Sequence, residues 1–227
     1  MIVTGGSRGI GLATARVLAA EGARVALVAR GIEALTAAAD EVGGLAVPGD
    51  TGSDESVAAM LATVVEAFGG VDVLVNGAAT PNQGGFPEAE LVEHLNVKVA
   101  GYLRCARAVA PLMAEQGWGR IINVSGLAAR HTGSVVGSVR NVAVAALTKN
   151  LADELGPAGI NVTVVHPGPT ITEREPPAAA VAEVSIGRAV TAAEVADVIA
   201  FLASPRSVAI NGDAIAVGGG TRGAIHY

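Results

Sequence analysis

Short strand-like runs, continuously apolar at Val25 to Ala29, alternate with helix-forming segments along this chain. Met1 to Thr4, Val25 to Ala29, Leu45 to Val47, Val71 to Val75, Arg120 to Val124, Asn161 to His166 and Ala214 to Val217 are the runs. Continuous apolar sequence is what a strand needs when both its faces are covered. Between the runs the apolar spacing is helical, as with Ile10, Ala13, Val17 and Leu18. Ile32 to Val42 is Ala-rich and helix-prone, and Ser53, with Ser56 three residues on, opens a helix that continues through Phe68. Glu88 to Gln116 reads as one long helix broken near Pro111, and Val136 to Leu155 as another. Thr191 and Glu194 form a capping box for a helix reaching Leu202. Strand, helix, strand in repetition predicts right-handed crossovers in one α/β domain over residues 1–227, a doubly wound seven-stranded parallel sheet with helices on both faces. The first strand is expected to be very short, because Met1 lies close to the first glycine turn. Segment 173–190, with Pro176-Pro177 and an alanine run, is the least regular and is expected to be a variable substrate lid.

Composition excludes several classes. With 227 residues, 51% hydrophobic and 16% charged, the chain can bury a sizeable core and does not resemble a disordered one. The formal net charge is −6 and the cations are dispersed, so no nucleic-acid partner is expected and a small-molecule substrate is. The single cysteine, Cys105, has no partner for a disulfide or a metal site. No apolar run reaches the ~20 residues of a membrane span and no signal peptide is evident, so a cytoplasmic protein with no membrane association is expected.

Thr4-Gly5-Gly6-Ser7-Arg8-Gly9-Ile10-Gly11 leaves a strand and opens a helix, the setting in which a glycine turn carries meaning. Gly5 permits the turn, Gly9 and Gly11 let the backbone approach a pyrophosphate, and the N-terminal N–H groups of the helix face the anion. The turn matches the TGxxxGIG of the short-chain dehydrogenase/reductase family, which the chain resembles along essentially its whole length. The resemblance implies a Rossmann-like fold and a nicotinamide dinucleotide cofactor. It places Ser7, Ile10, Asp50 and Thr51 among the cofactor contacts, with Asp50 on the adenine. Asn76-Gly77-Ala78-Ala79 is similar to the family's NNAG with its second Asn replaced, Pro167-Gly168 and Thr172 match its PGxxxT, and Val217-Gly218-Gly219 resembles its VDGG without the Asp. The second strand ends Val28-Ala29-Arg30 with no carboxylate to accept from an adenosine 2′-hydroxyl. Arg30, with Arg8 nearby, favours NADP(H) over NAD(H).

The family's proton-transfer pattern is broken. It uses a Tyr and, four residues on, a Lys stacked on the same helix face, with an upstream Ser and a helix Asn. Aligned on Val142-Ala143-Val144-Ala145-Ala146-Leu147-Thr148-Lys149, the Tyr position is Gly137 and the Lys position Asn141. Asn123-Val124-Ser125-Gly126 resembles the family's NxSS with Gly126 at the catalytic Ser. The resemblance leaves Asn96 for the helix Asn and Ser125 as a remaining hydroxyl, while His131, Arg140 and Tyr227 are candidate replacements. Three readings follow: an NADP(H)-dependent oxidoreductase of a carbonyl or alcohol with a non-standard site, a catalytically silent nucleotide-binding partner, or a non-redox enzyme on the same scaffold. Loss of a general acid forfeits ~10²–10⁴ in rate. The resemblance also implies a homodimer or homotetramer built on the Glu88–Gln116 and Val136–Leu155 helices.

Overall fold

The computed structural model describes residues 1–80 and 88–223. In chain order its elements are β1 (Ile2–Thr4), α1 (Gly9–Ala20), β2 (Ala26–Ala29), α2 (Ile32–Val42), β3 (Leu45–Pro48), α3 (Asp54–Phe68) and β4 (Val73–Asn76). There follow α4 (Glu88–His94), a π-helical turn (Leu95–Ala100), α5 (Gly101–Glu115), β5 (Gly119–Val124), α6 (Val135–Leu155) and β6 (Ile160–Pro167). The chain continues through β7 (Thr170–Ile171), α7 (Ala178–Ala182), β8 (Val190–Thr191), α8 (Ala192–Ala203) and β9 (Ala214–Val217).

Seven strands form one parallel sheet in the order β3-β2-β1-β4-β5-β6-β9. Alternate residues of each strand feed opposite layers. Ile2 joins Met60, Leu74, Cys105, Met113 and Leu151 under α3, α5 and α6, whereas Val3 joins Leu12, Leu18, Leu35, Val75 and Ile199 under α1, α2 and α8. The expected α/β architecture is therefore present, with helices covering both faces.

One local expectation is revised. The Glu88–Gln116 segment is interrupted at the π-helical turn, and α5 runs through Pro111 without a break. Segment 173–190 carries α7 and is fastened at its far end: Ser185 N–H donates to Gly220 O, Ile186 N–H to Gly219 O, and Arg222 N–H to Glu183 O, with Val184 buried. Tyr227 lies outside the described residues.

Candidate functional site

Strand order reverses between β1 and β4, and a doubly wound sheet opens its crevice at the carboxyl ends of the strands there. Thr4, Val28 and Asn76 are in register on three adjacent strands. Thr4 Oγ1 accepts from Gly77 N–H at 3.1 Å and Ala78 N–H at 3.3 Å, which fixes the start of the loop after β4. Above this row lies a cleft of about 530 Å³.

Its floor is the glycine turn. Gly5 has φ +69°, and a Cβ there would lie 2.7 Å from Gly77 C; a Cβ on Gly11 would lie 2.2 Å from Gly5 O. Only glycine leaves this cradle open, and a cradle of backbone N–H groups at a helix start accepts a diphosphate. Gly9 N–H is occupied by a side chain of the chain itself, donating to Glu173 Oε1 at 2.7 Å. Burial alone would raise the Glu173 pKa. The Gly9 bond and the nearby Arg8 and Arg16 charges outweigh it and hold the carboxyl below its ordinary value.

Gly5, Ser7, Arg8, Ile10 and Gly11 all line the cleft, as do Arg30, Asp50 and Thr51 on its β2 and β3 side. Arg8 and Arg30 are exposed at its rim, and among the described residues neither guanidinium makes a hydrogen bond. Asp50 Oδ1 accepts from Gly52 N–H at 2.8 Å, and Thr51 Oγ1 donates to Val97 O at 3.1 Å, tying this rim to the π-helical turn. Ala78, Ser125 and Thr172 line the cleft as well. Gly9, Asn76, Pro167 and Gly168 do not form the wall. Asn76 is fully buried and donates through Nδ2 to Asn123 Oδ1, which sits on β5 and bonds Thr148 in turn. Gly168 packs on Gly218, where a Cβ would meet the Gly218 Cα at 2.8 Å.

The catalytic candidates are not gathered together. Asn96 is exposed and does not line the cleft, its Nδ2 donating to Gly52 O and its Oδ1 accepting from Arg104. His131 is exposed in the loop before α6 and lines a separate cavity with Pro169, Ala180 and Glu183. Ser125 reaches the cleft, but its hydroxyl donates to Asn141 O at 3.1 Å. At position 137 Ser134 caps α6 through the Gly137 N–H, and a Cβ there would stand 3.0 Å from the Ser134 Oγ. A Cβ on Gly126 would meet the Asn141 Nδ2 at 3.0 Å, so the residues at 126 and 141 fit one another. Tyr102 is fully buried beneath the site, its hydroxyl donating to Val124 O and its pKa raised by burial. Arg140 donates to Thr80 O and pairs with the ring of His94, whose other nitrogen meets Glu90. Burial first, and the Arg140 charge second, lower the His94 pKa.

Lys98 was absent from the sequence-based candidates, yet it is the cation inside the cleft. It lies on the π-helical turn, is 4% exposed, and its Nζ donates to Ser125 O at 3.1 Å. The sequence did hold a signal: Lys98 and Lys149 are the only lysines of the chain.

Residues 5–222 match the family described as Enoyl-(Acyl carrier protein) reductase. The chain is 38% identical to the Short-chain reductase protein NovJ of Streptomyces niveus, over 96% of this chain and 92% of that protein. It is 34% identical to the 3-oxoacyl-(acyl-carrier-protein) reductase FabG of Vibrio cholerae, over 96% and 95% respectively. The crystal structure of a short-chain type dehydrogenase/reductase from Mycobacterium marinum matches it with a TM-score of 0.91 at 30% identity, covering 98% of this chain and 95% of that one.

Proposed function

Because the chain belongs to the short-chain dehydrogenase/reductase family, we propose that it binds NADP(H) in preference to NAD(H) and interconverts a small carbonyl compound and its alcohol, with a proton donor other than a residue at position 137. The observation that carries this reading is the cleft at the strand-order reversal: an open glycine cradle flanked by two guanidiniums without hydrogen-bond partners among the described residues. Ser7 and the N–H groups of the turn would hold the diphosphate, Arg8 and Arg30 the 2′-phosphate, and Asp50 and Thr51 the adenine side. Ala78 and Thr172 would border the nicotinamide, with the backbone of Pro167-Gly168 behind them. When bound, that group gives or takes the hydride.

The chain's own residues must bind and orient the substrate and move one proton. Gly137 and Asn141 bring no phenol or amine from α6, and the Ser125 hydroxyl is turned onto backbone. These same residues favour the second reading, a nucleotide-binding protein without turnover. Fluorescence titration with NADPH and NADH, followed by NADPH oxidation against a panel of carbonyl compounds, separates the two. Turnover supports the oxidoreductase, tight binding with no turnover supports the silent partner, and no binding of either dinucleotide contradicts both.

A further inference from the structure

A buried ammonium is costly without a carboxylate partner, and residues that carry such a cost sit most often at functional sites. Lys98 is such a residue. The charges about it come from several elements. Arg140 on α6 is the cation that acts on it most directly, and His94 and Glu90 on α4 reach it through Arg140. The Tyr102 phenol on α5 is committed to Val124 O, and Asp50, which also lines the cleft, is committed to Gly52 N–H. Among the described residues no carboxylate pairs with the Nζ, whose hydrogen bond is to the Ser125 carbonyl. On α6, position 141 carries an amide whose buried Oδ1 has no partner among the described residues. The amine of the site therefore rises from the π-helical turn rather than from α6.

We propose that Lys98 is the catalytic proton donor of the site, giving a proton to the carbonyl oxygen of the substrate in reduction and taking it back in oxidation. The inference rests on the oxidoreductase reading above. In reduction an N–H bond of the ammonium breaks and an O–H bond forms at the carbonyl oxygen as the carbon–oxygen π bond opens. The carbonyl carbon gains the hydride of the dihydronicotinamide. The carbonyl is reduced to the alcohol, the dihydronicotinamide is oxidised, and Lys98 is left as a neutral amine that solvent reprotonates through the cleft. Burial, and secondarily the Arg140 charge, bring the amine down to about 7, so both of its protonation states are populated at neutral pH. That is the condition under which a general acid is most effective.

With only two lysines, ¹³Cε-lysine labelling gives two methylene signals, assigned by Lys149→Arg. The Lys98 signal is expected to titrate with a midpoint near 7 and to shift when NADPH is added. A midpoint above about 9, close to an ordinary lysine, would overturn the proposal. So would a signal unmoved by NADPH that calorimetry shows to be bound. Lys98→Met and Lys98→Arg are expected to bind NADPH as the wild type does and to lose at least ~100-fold of NADPH oxidation with 2,3-butanedione as the probe carbonyl. The arginine keeps the charge and cannot release a proton near neutrality. Wild-type turnover in either variant, or no turnover by NADPH-bound wild type with this or any panel carbonyl, would contradict the proposal. Failure of the wild type to bind NADPH would instead remove the oxidoreductase reading on which it rests.

Discussion

Arg30 stands at the end of β2, where a carboxylate would repel a 2′-phosphate, and its guanidinium has no competing partner among the described residues. A charge-assisted bond of this kind contributes about 1.5–3 kcal/mol. Arg30→Ala is therefore expected to weaken NADPH binding by ~10–100-fold while leaving NADH binding nearly unchanged, as read by paired calorimetric titrations. Lys98 leads to a stability prediction of opposite sign. Its folded-state pKa lies below that of the unfolded chain, so the unfolded state binds more protons between pH 7 and 10, and the wild type gains stability as pH rises through that window. Lys98→Met removes the penalty and should stabilise the protein by about 1–4 kcal/mol at pH 7, with the gain fading toward pH 10. Thermal unfolding of both proteins across that range checks it. The sequence supplied Arg8, Arg30, Asp50 and Thr172 because each lies at a fixed offset from a strand end, where the backbone dictates position. Lys98 was not legible in the same way. Residues two apart on a helix do not share a face, and whether Asn96 or Lys98 turns inward depends on the phase set by the turn between α4 and α5.

That turn is the element on which the site pivots. π-helical turns are rare and frequently mark functional positions, and this one is fastened to the cleft rim by Thr51 Oγ1 on Val97 O. Close approach continues at Gly101, where a Cβ would stand 2.8 Å from Thr51 O. Gly101→Ala is expected to cost about 1–3 kcal/mol in urea unfolding, because backbone and a buried threonine must give way. The segment after β7 offers a second element-scale prediction. Glu173 accepts from the N–H of Gly9 at the start of α1, beside the proposed diphosphate cradle, and its carboxylate adds a negative charge there. Glu173→Gln should tighten NADPH binding several-fold in the same titration; weaker binding would mean that the carboxylate assists the ligand instead. Helix starts with side-chain caps were legible: Ser53 accepts from Ser56 N–H, and Thr191 and Glu194 form the capping box. The fastening of Ser185 and Ile186 to Gly220 and Gly219 was not, because it depends on backbone pairing between segments distant in sequence.

Across the whole molecule, parallel pairing follows from the alternation of strands and helices, since each crossover must pack back onto the sheet with one hand, whereas the reversal of strand order between β1 and β4 is not fixed by that alternation. Among the described residues no helix is long and apolar enough to cross a membrane. The helical surface nevertheless retains an apolar stripe. Val135, Val139 and Val142 lie on one face of α6 and are 52%, 41% and 50% exposed. We propose that this face is buried between copies in a homodimer or homotetramer. Light scattering should give that mass for the wild type and a monomer for Val139→Glu with Val142→Glu. The central proposal, however, concerns the cleft: that it binds a dinucleotide although α6 carries no tyrosine at 137 and no lysine at 141. Calorimetric titration of the purified chain with NADPH and with NADH tests it most directly. The account predicts saturable one-to-one binding of NADPH at least ~10-fold tighter than that of NADH; heats no greater than dilution for both dinucleotides would contradict it.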